Sequence, residues 1–182
     1  YNGNEIKVEV SGKHREKVRV GQEGDTLVLE SIGRVQDREI TVSYPKKTEF
    51  EEASVDVVAG TVNLDDNFYA KKLEVSVAAG EFTNDSTITA EKAELTVGTG
   101  NIDLENLKVQ NLEADCGIGN IDLGIDGKEK DYDYEISCAA GAIDIGDSSF
   151  SGLGHEKKIS NPGSSGKMTF DCGVGNITVD FE

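Results

Sequence analysis

Six short segments of this chain are near copies of one another, at residues 54–64, 74–84, 94–104, 113–123, 135–145 and 169–179. Aligned on Gly60, Gly80, Gly100, Gly119, Gly141 and Gly175, they recur after 20, 20, 19, 22 and 34 residues, the differences of those residue numbers. A unit of roughly 20 residues cannot bury an apolar face by itself, so a chain that repeats one must build its core between units, as a solenoid does.

Each copy alternates apolar and polar residues on both sides of its glycine. Five residues upstream stand Val55, Val75, Leu95, Ala114, Ile136 and Phe170, and three upstream stand Val57, Val77, Val97, Cys116, Cys138 and Cys172. Two downstream come Val62, Phe82, Ile102, Ile121, Ile143 and Ile177; four downstream come Leu64, Leu104, Leu123, Ile145 and Val179, with Asn84 as the polar exception. Period-two alternation puts these four columns on one face of two strands per copy. Stacked at about 4.8 Å, each column becomes a ladder of like side chains. The glycines mark the corner between the two strands, where φ > 0 is expected, and alanine at Gly100 or Gly119 would then cost about 1–2 kcal/mol. Weaker patterns between copies (Phe68 and Ala70, Ile88 and Ala90, Leu107 and Val109) predict a third short strand per turn. The expected fold is all-β: a parallel β-helix of about six short coils, with every strand neighbour along the axis parallel.

Residues 1–52 lie outside the repeat. They alternate over 6–10, 17–20, 26–32 and 39–43, with turn residues at 21–25 and Pro45 closing the last run. This reads as an antiparallel β cap on the first coil, since an uncovered coil end exposes unpaired backbone groups. Residues 53–182 then carry the repeats. The stretch 147–167 lengthens the last interval and is rich in Gly and Ser, with Pro162, so it is expected to be a loop or hairpin insertion. It holds His155, Lys157 and Lys158, and reads either as a functional insertion or as a hairpin that closes the stack.

Lys and Arg number 18 against 35 Asp and Glu, a formal net charge of −17, which repels phosphate backbones and argues against nucleic acid as a partner. No apolar run is long enough for a transmembrane helix. The chain opens on Tyr1 rather than methionine, which implies a preceding leader or anchor, so membrane attachment is expected only through such a segment.

The three cysteines share the inward column that holds valine in the first three copies, the behaviour of cysteine as a small buried hydrophobe. Cys116 and Cys138, on consecutive copies, are close enough in this arrangement for a bridge to be weighed against free thiols, and free thiols fit the column better. No histidine is expected near that column, which argues against a nucleophilic cysteine. No catalytic residue and no cofactor site is read from the sequence. Outward, Asp103, Asp122 and Asp144 each fall three residues after their glycine. Stacked on consecutive turns about 5 Å apart they repel by about 0.8 kcal/mol per neighbour in water, so the column reads as a calcium candidate or as a solvated acidic stripe.

Residues 40–46, ITVSYPK, lead through Phe50 into ASVDVVAGTV and then into the reiterated GNIDL, GAIDI and GNITV segments. In these features the chain, over about residues 5–181, resembles a bacterial adhesin-like β-strand-repeat family of unknown function, similar to single-stranded β-helices. The resemblance implies an anchored or exported protein and supplies no catalytic residues. The leading expectation is a non-enzymatic, monomeric, extracytoplasmic adhesin or scaffold module whose partner is a protein or glycan at a surface. Two other readings stand beside it: a carbohydrate-active enzyme on a β-helix, using paired carboxylates, and a cytoplasmic filament-forming β-helix of the bactofilin kind.

Overall fold

A computed structural model describes residues 3–33 and 37–182 of the chain. The fold class is all-β, as the alternation predicts, and the chain divides into two units, Tyr1–Thr48 and Glu49–Glu182.

The first unit contains β1 (Lys7–Gly12), β2 (Val18–Glu23), β3 (Thr26–Ser31) and β4 (Arg38–Ser43). Strand β1 pairs antiparallel with β4, and β2 with β3. The β2–β3 loop is two residues long, Gly24 and Asp25, with Gly24 at φ +63°, so the turn is tighter than the 21–25 expected from sequence. None of the described residues of 3–48 is buried. The expected boundary at residue 52 is also shifted. Residues 50–52 already belong to a strand of the repeat unit, because Phe50 and Glu52 continue its ladder opposite Ala70 and Lys72.

The second unit joins thirteen strands in one mixed sheet. The first three copies comprise β5 (Phe50–Val57) with β6 (Thr61–Leu64), β7 (Phe68–Val77) with β8 (Glu81–Asn84), and β9 (Ile88–Val97) with the start of β10 (Asn101–Cys116). The fourth runs from the end of β10 into β11 (Asn120–Ile125). The fifth is β12 (Tyr132–Cys138) with β13 (Ala142–Ile145). Strands β14 (Ser148–Ser151) and β15 (His155–Ile159) follow, and β16 (Gly166–Cys172) with β17 (Asn176–Phe181) forms the sixth. Copies pair in parallel and in register: Val55 faces Val75, which faces Leu95, and Val62 faces Phe82, which faces Ile102. The four columns found in the sequence supply the core, with Leu95, Ile102, Leu104, Ala114, Ile121, Ile143, Phe170, Ile177 and Val179 all at most 1% exposed.

Four expectations are corrected. The copies do not lie in chain order: β16 pairs with β10 on one side and β12 on the other, and β17 lies between β11 and β13, so the sixth copy separates the fourth from the fifth. Not every neighbour is parallel, because β15 and β14 fold back antiparallel onto β12 and β13. With those edges covered, the sixth copy takes the opposite edge of the fifth. The third strand of each turn is not separate; it runs on into the next, as in β7, where Ala70 pairs with Ala90 and Lys72 with Lys92 while Lys71 is skipped. Finally, of the six corner glycines only Gly60 has a left-handed φ, +121°.

The corner glycines are required instead by close approach. A Cβ on Gly100 would lie 2.6 Å from Val77 Cγ1 and 2.9 Å from Gly80 N, and would overlap the Gly80 carbonyl oxygen. Gly80, Gly119, Gly175 and Gly141 repeat this collision with the preceding corner, whereas Gly60, on the first copy, meets nothing within 4 Å. The ladder brings corner backbones together so tightly that no side chain fits between them.

Candidate functional site

The inward thiol column is continuous. Cys116 faces Cys172, and Cys172 faces Cys138, so Cys116 and Cys138 are not neighbours and a bridge between them is ruled out by the intervening residue. All three are free and buried. The Cys116 thiol donates to the Gly119 carbonyl and the Cys172 thiol to the Gly175 carbonyl, both at 3.0 Å. Each of these carbonyls also accepts a backbone N–H from the next corner, Asn176 N and Ala142 N. Burial pushes both thiols up, Cys172 to about 12 with Cys116 and Cys138 adding to the effect. Thiols held protonated in this way are poor nucleophiles. One expectation fails at the column's end: His155 of β15 stands opposite Cys138 in the antiparallel ladder. Its ring packs against Phe150 at 5.9 Å, with Lys157 Nζ 5.0 Å from the centroid of the same ring. No hairpin register could be read from sequence, so the histidine's arrival there was not legible.

The aspartate column is interrupted. Asp103 and Asp122 are neighbours, but Thr178 stands between Asp122 and Asp144, a direct result of the inserted sixth copy. Among the described residues no group of three or more His, Cys, Asp or Glu converges to hold a metal ion.

Sequence reading missed a neighbouring ladder. Asn120 Nδ2 donates to Asn101 Oδ1 and Asn176 Nδ2 donates to Asn120 Oδ1, both at 3.1 Å. The signal was present as GN in three copies, but the order of those copies was needed to see the ladder. Asn84, the lone polar residue of its inward column, is 2% exposed and satisfied on both sides: its amide donates to Ser86 O and its Oδ1 accepts Glu105 N at 2.9 Å.

On the outward face of the long strands, a lysine column runs beside a glutamate column, with Lys72 facing Lys92 and Glu74 facing Glu94. Lys72 Nζ lies 2.7 Å from Glu74, 3.5 Å from Glu94 and 3.8 Å from Glu52, and Lys92 pairs with Glu94. Farther along, Glu135 accepts from Lys158 and Lys167 at 2.9 Å each, and these lysines hold its carboxyl below the usual range. Water screens such exposed pairs, so they add little to stability. Between them, partial burial and then the carboxylates of Glu113 and Asp171 push the Asp115 carboxyl up. A shallow, open depression of about 400 Å³ beside β15 is lined by Glu135, Ser137, Glu156, Lys158, Thr169 and Asp171 among others.

Residues 2–153 match the model of a protein family described as Toastrack DUF4097. No curated protein and no solved structure matches the chain.

Proposed function

The chain belongs to the Toastrack DUF4097 family, a family of unknown function, and from that premise we propose that residues 49–182 form a β-solenoid serving as a non-enzymatic, adhesin-like binding or scaffold module, exported or held at a cell surface. The observation that carries this reading is the in-register pairing of six copies. Residues 68–70, 72–77 and 81–84 each continue a parallel ladder, the pairing that stacked coils would make. The outward columns of such a stack are long, flat and laid out at regular spacing, which suits contact with an extended partner, a protein or a glycan, better than enclosure of a small substrate.

The depression beside β15 is the feature on which a carbohydrate-active alternative would rest. Its Glu135 is held ionised by two lysines, the opposite of the raised carboxyl that a glycosidic general acid needs. The filament alternative needs a bare coil end. At the far end of the sheet the outermost strands are β14, only four residues long, and β15, with Lys157 and Lys158, the features that discourage strand addition. The test is a glycan and protein array probed with the full chain, with electron microscopy of the same sample. Saturable binding to one ligand class by single particles is expected. An inert chain, or filaments, would overturn the reading.

A further inference from the structure

The corners between the two strands of each copy form an exposed line. Backbone hydrogen bonds string them together in ladder order: Thr99 N donates to Ala78 O, Ile118 N to Gly98 O, Val174 N to Gly117 O and Ala140 N to Gly173 O, each at 2.8 Å. Gly154 N donates to Ala139 O at 2.9 Å, which brings the 152–154 turn to the end of the same line. Along it Val58, Ile118, Val174 and Leu153 are 75%, 66%, 64% and 91% exposed, and Ile118 and Val174 sit on adjacent rungs. Single exposed aliphatic residues such as Val58 and Leu153 are ordinary; Ile118 and Val174, side by side on adjacent rungs, are the pair that marks a contact surface.

Charge around Ile118 and Val174 is one-sided. From four residues before each corner glycine to three after it, the six copies hold seven carboxylates, among them Asp115 and Asp171 flanking Ile118 and Val174, and no lysine, arginine or histidine. Of the basic residues elsewhere, Lys72, Lys92, Lys167 and, on β15, Lys158 stand on other columns and are tied to glutamates, while His155 follows the 152–154 turn and Lys157 lies against Phe150. An apolar crest between acidic flanks selects its occupant. A second copy would set carboxylates against carboxylates, anionic lipid and nucleic acid meet the same repulsion, and an uncharged partner would strip water from the flanks without replacing it.

We propose that this ridge docks a basic protein segment carrying aliphatic side chains, the aliphatic groups lying on Ile118 and Val174 and the cations on Asp115 and Asp171. The proposal rests on the binding-module reading above and names its partner's chemistry.

The test uses the full chain and a fluorescent ten-residue peptide of alternating lysine and leucine, followed by anisotropy at two salt concentrations. Saturable binding is expected. It should weaken at least tenfold in the Ile118→Ser/Val174→Ser double variant, weaken several-fold with a flatter salt dependence in Asp115→Asn/Asp171→Asn, and stay unchanged in Val20→Ser, an exposed apolar residue of the other unit. Ile118→Lys provides a second probe of the crest, and urea midpoints establish that each variant is folded. A lysine–serine peptide that binds as tightly as lysine–leucine overturns the proposal, as does unchanged binding by the Ile118/Val174 variant or stronger capture of phosphatidylglycerol vesicles. If that variant keeps full binding to an array ligand, the ridge assignment fails while the module reading survives; an inert wild-type chain removes the module reading itself.

Discussion

Replacing Gly100 with alanine separates two explanations for the corner glycines. Its φ is not left-handed, so backbone strain predicts almost no penalty. Close approach predicts a large one. The new Cβ would stand 2.6 Å from Val77 Cγ1, where ordinary carbon contacts are about 3.5–4.0 Å, so adjacent rungs must part by about 1 Å at the corner. That strains a packed core by about 1–3 kcal/mol and weakens the bond from Asn101 N to Gly80 O, now 3.0 Å, by about 1 kcal/mol. A total of about 2–4 kcal/mol corresponds to a fall in Tm of about 5–15 °C for a chain of this size. Gly100→Asn sharpens the comparison. Asparagine tolerates a left-handed backbone better than alanine does, but it is larger, so crowding makes it the worse substitution of the two. Urea unfolding followed by far-UV circular dichroism gives the order wild type, Gly100→Ala, Gly100→Asn from most to least stable. A Gly100→Asn midpoint at or above that of Gly100→Ala refutes the close-approach argument.

Two further outcomes follow from buried groups. Burial raises the Cys116, Cys172, Tyr132 and Tyr134 protons above their unfolded values. Above about pH 9 the unfolded chain therefore binds fewer protons than the folded one, and stability that is whole below that pH is lost as pH climbs toward 12. Urea midpoints between pH 8 and 11 should fall, and level or rising midpoints would contradict the burial of these groups. Asn84→Leu restores the apolar character of its column yet removes the partners of Ser86 O and Glu105 N. It should lower stability by about 1–3 kcal/mol, and a higher Tm would show that these hydrogen bonds do not matter.

The inward columns were legible because alternation and repetition state them twice over. Val97, Cys116 and Cys172 share a column in the sequence and a ladder in the fold. The order of the copies was not legible, and the reason is the same repetition. Copies that carry equivalent side chains fit beside one another in any order, so Thr169–Val179 matches the edge of the fourth copy as well as that of the fifth. What decides is the position of β14 and β15, and Ser148–Ser151 carries a single apolar residue, Phe150, too little to announce a strand. From that one uncertainty came the misplaced Cys138, the broken aspartate column and the unnoticed asparagine ladder. The glycines failed differently: a residue that must lack a side chain for room and one that must lack it for φ look alike in a sequence.

Because the sixth copy is wedged between its two predecessors, the ribosome cannot assemble this sheet in the order in which it delivers it. Synthesis from Ile145 to Phe181 takes about 2–7 s at ordinary elongation rates, and throughout that interval the fourth copy's far edge faces a fifth copy of matching side chains with its rightful neighbour still unmade. The nascent chain thus passes through a window in which the wrong junction can zip shut. Completing the fold then means prising that junction open to admit the latecomer.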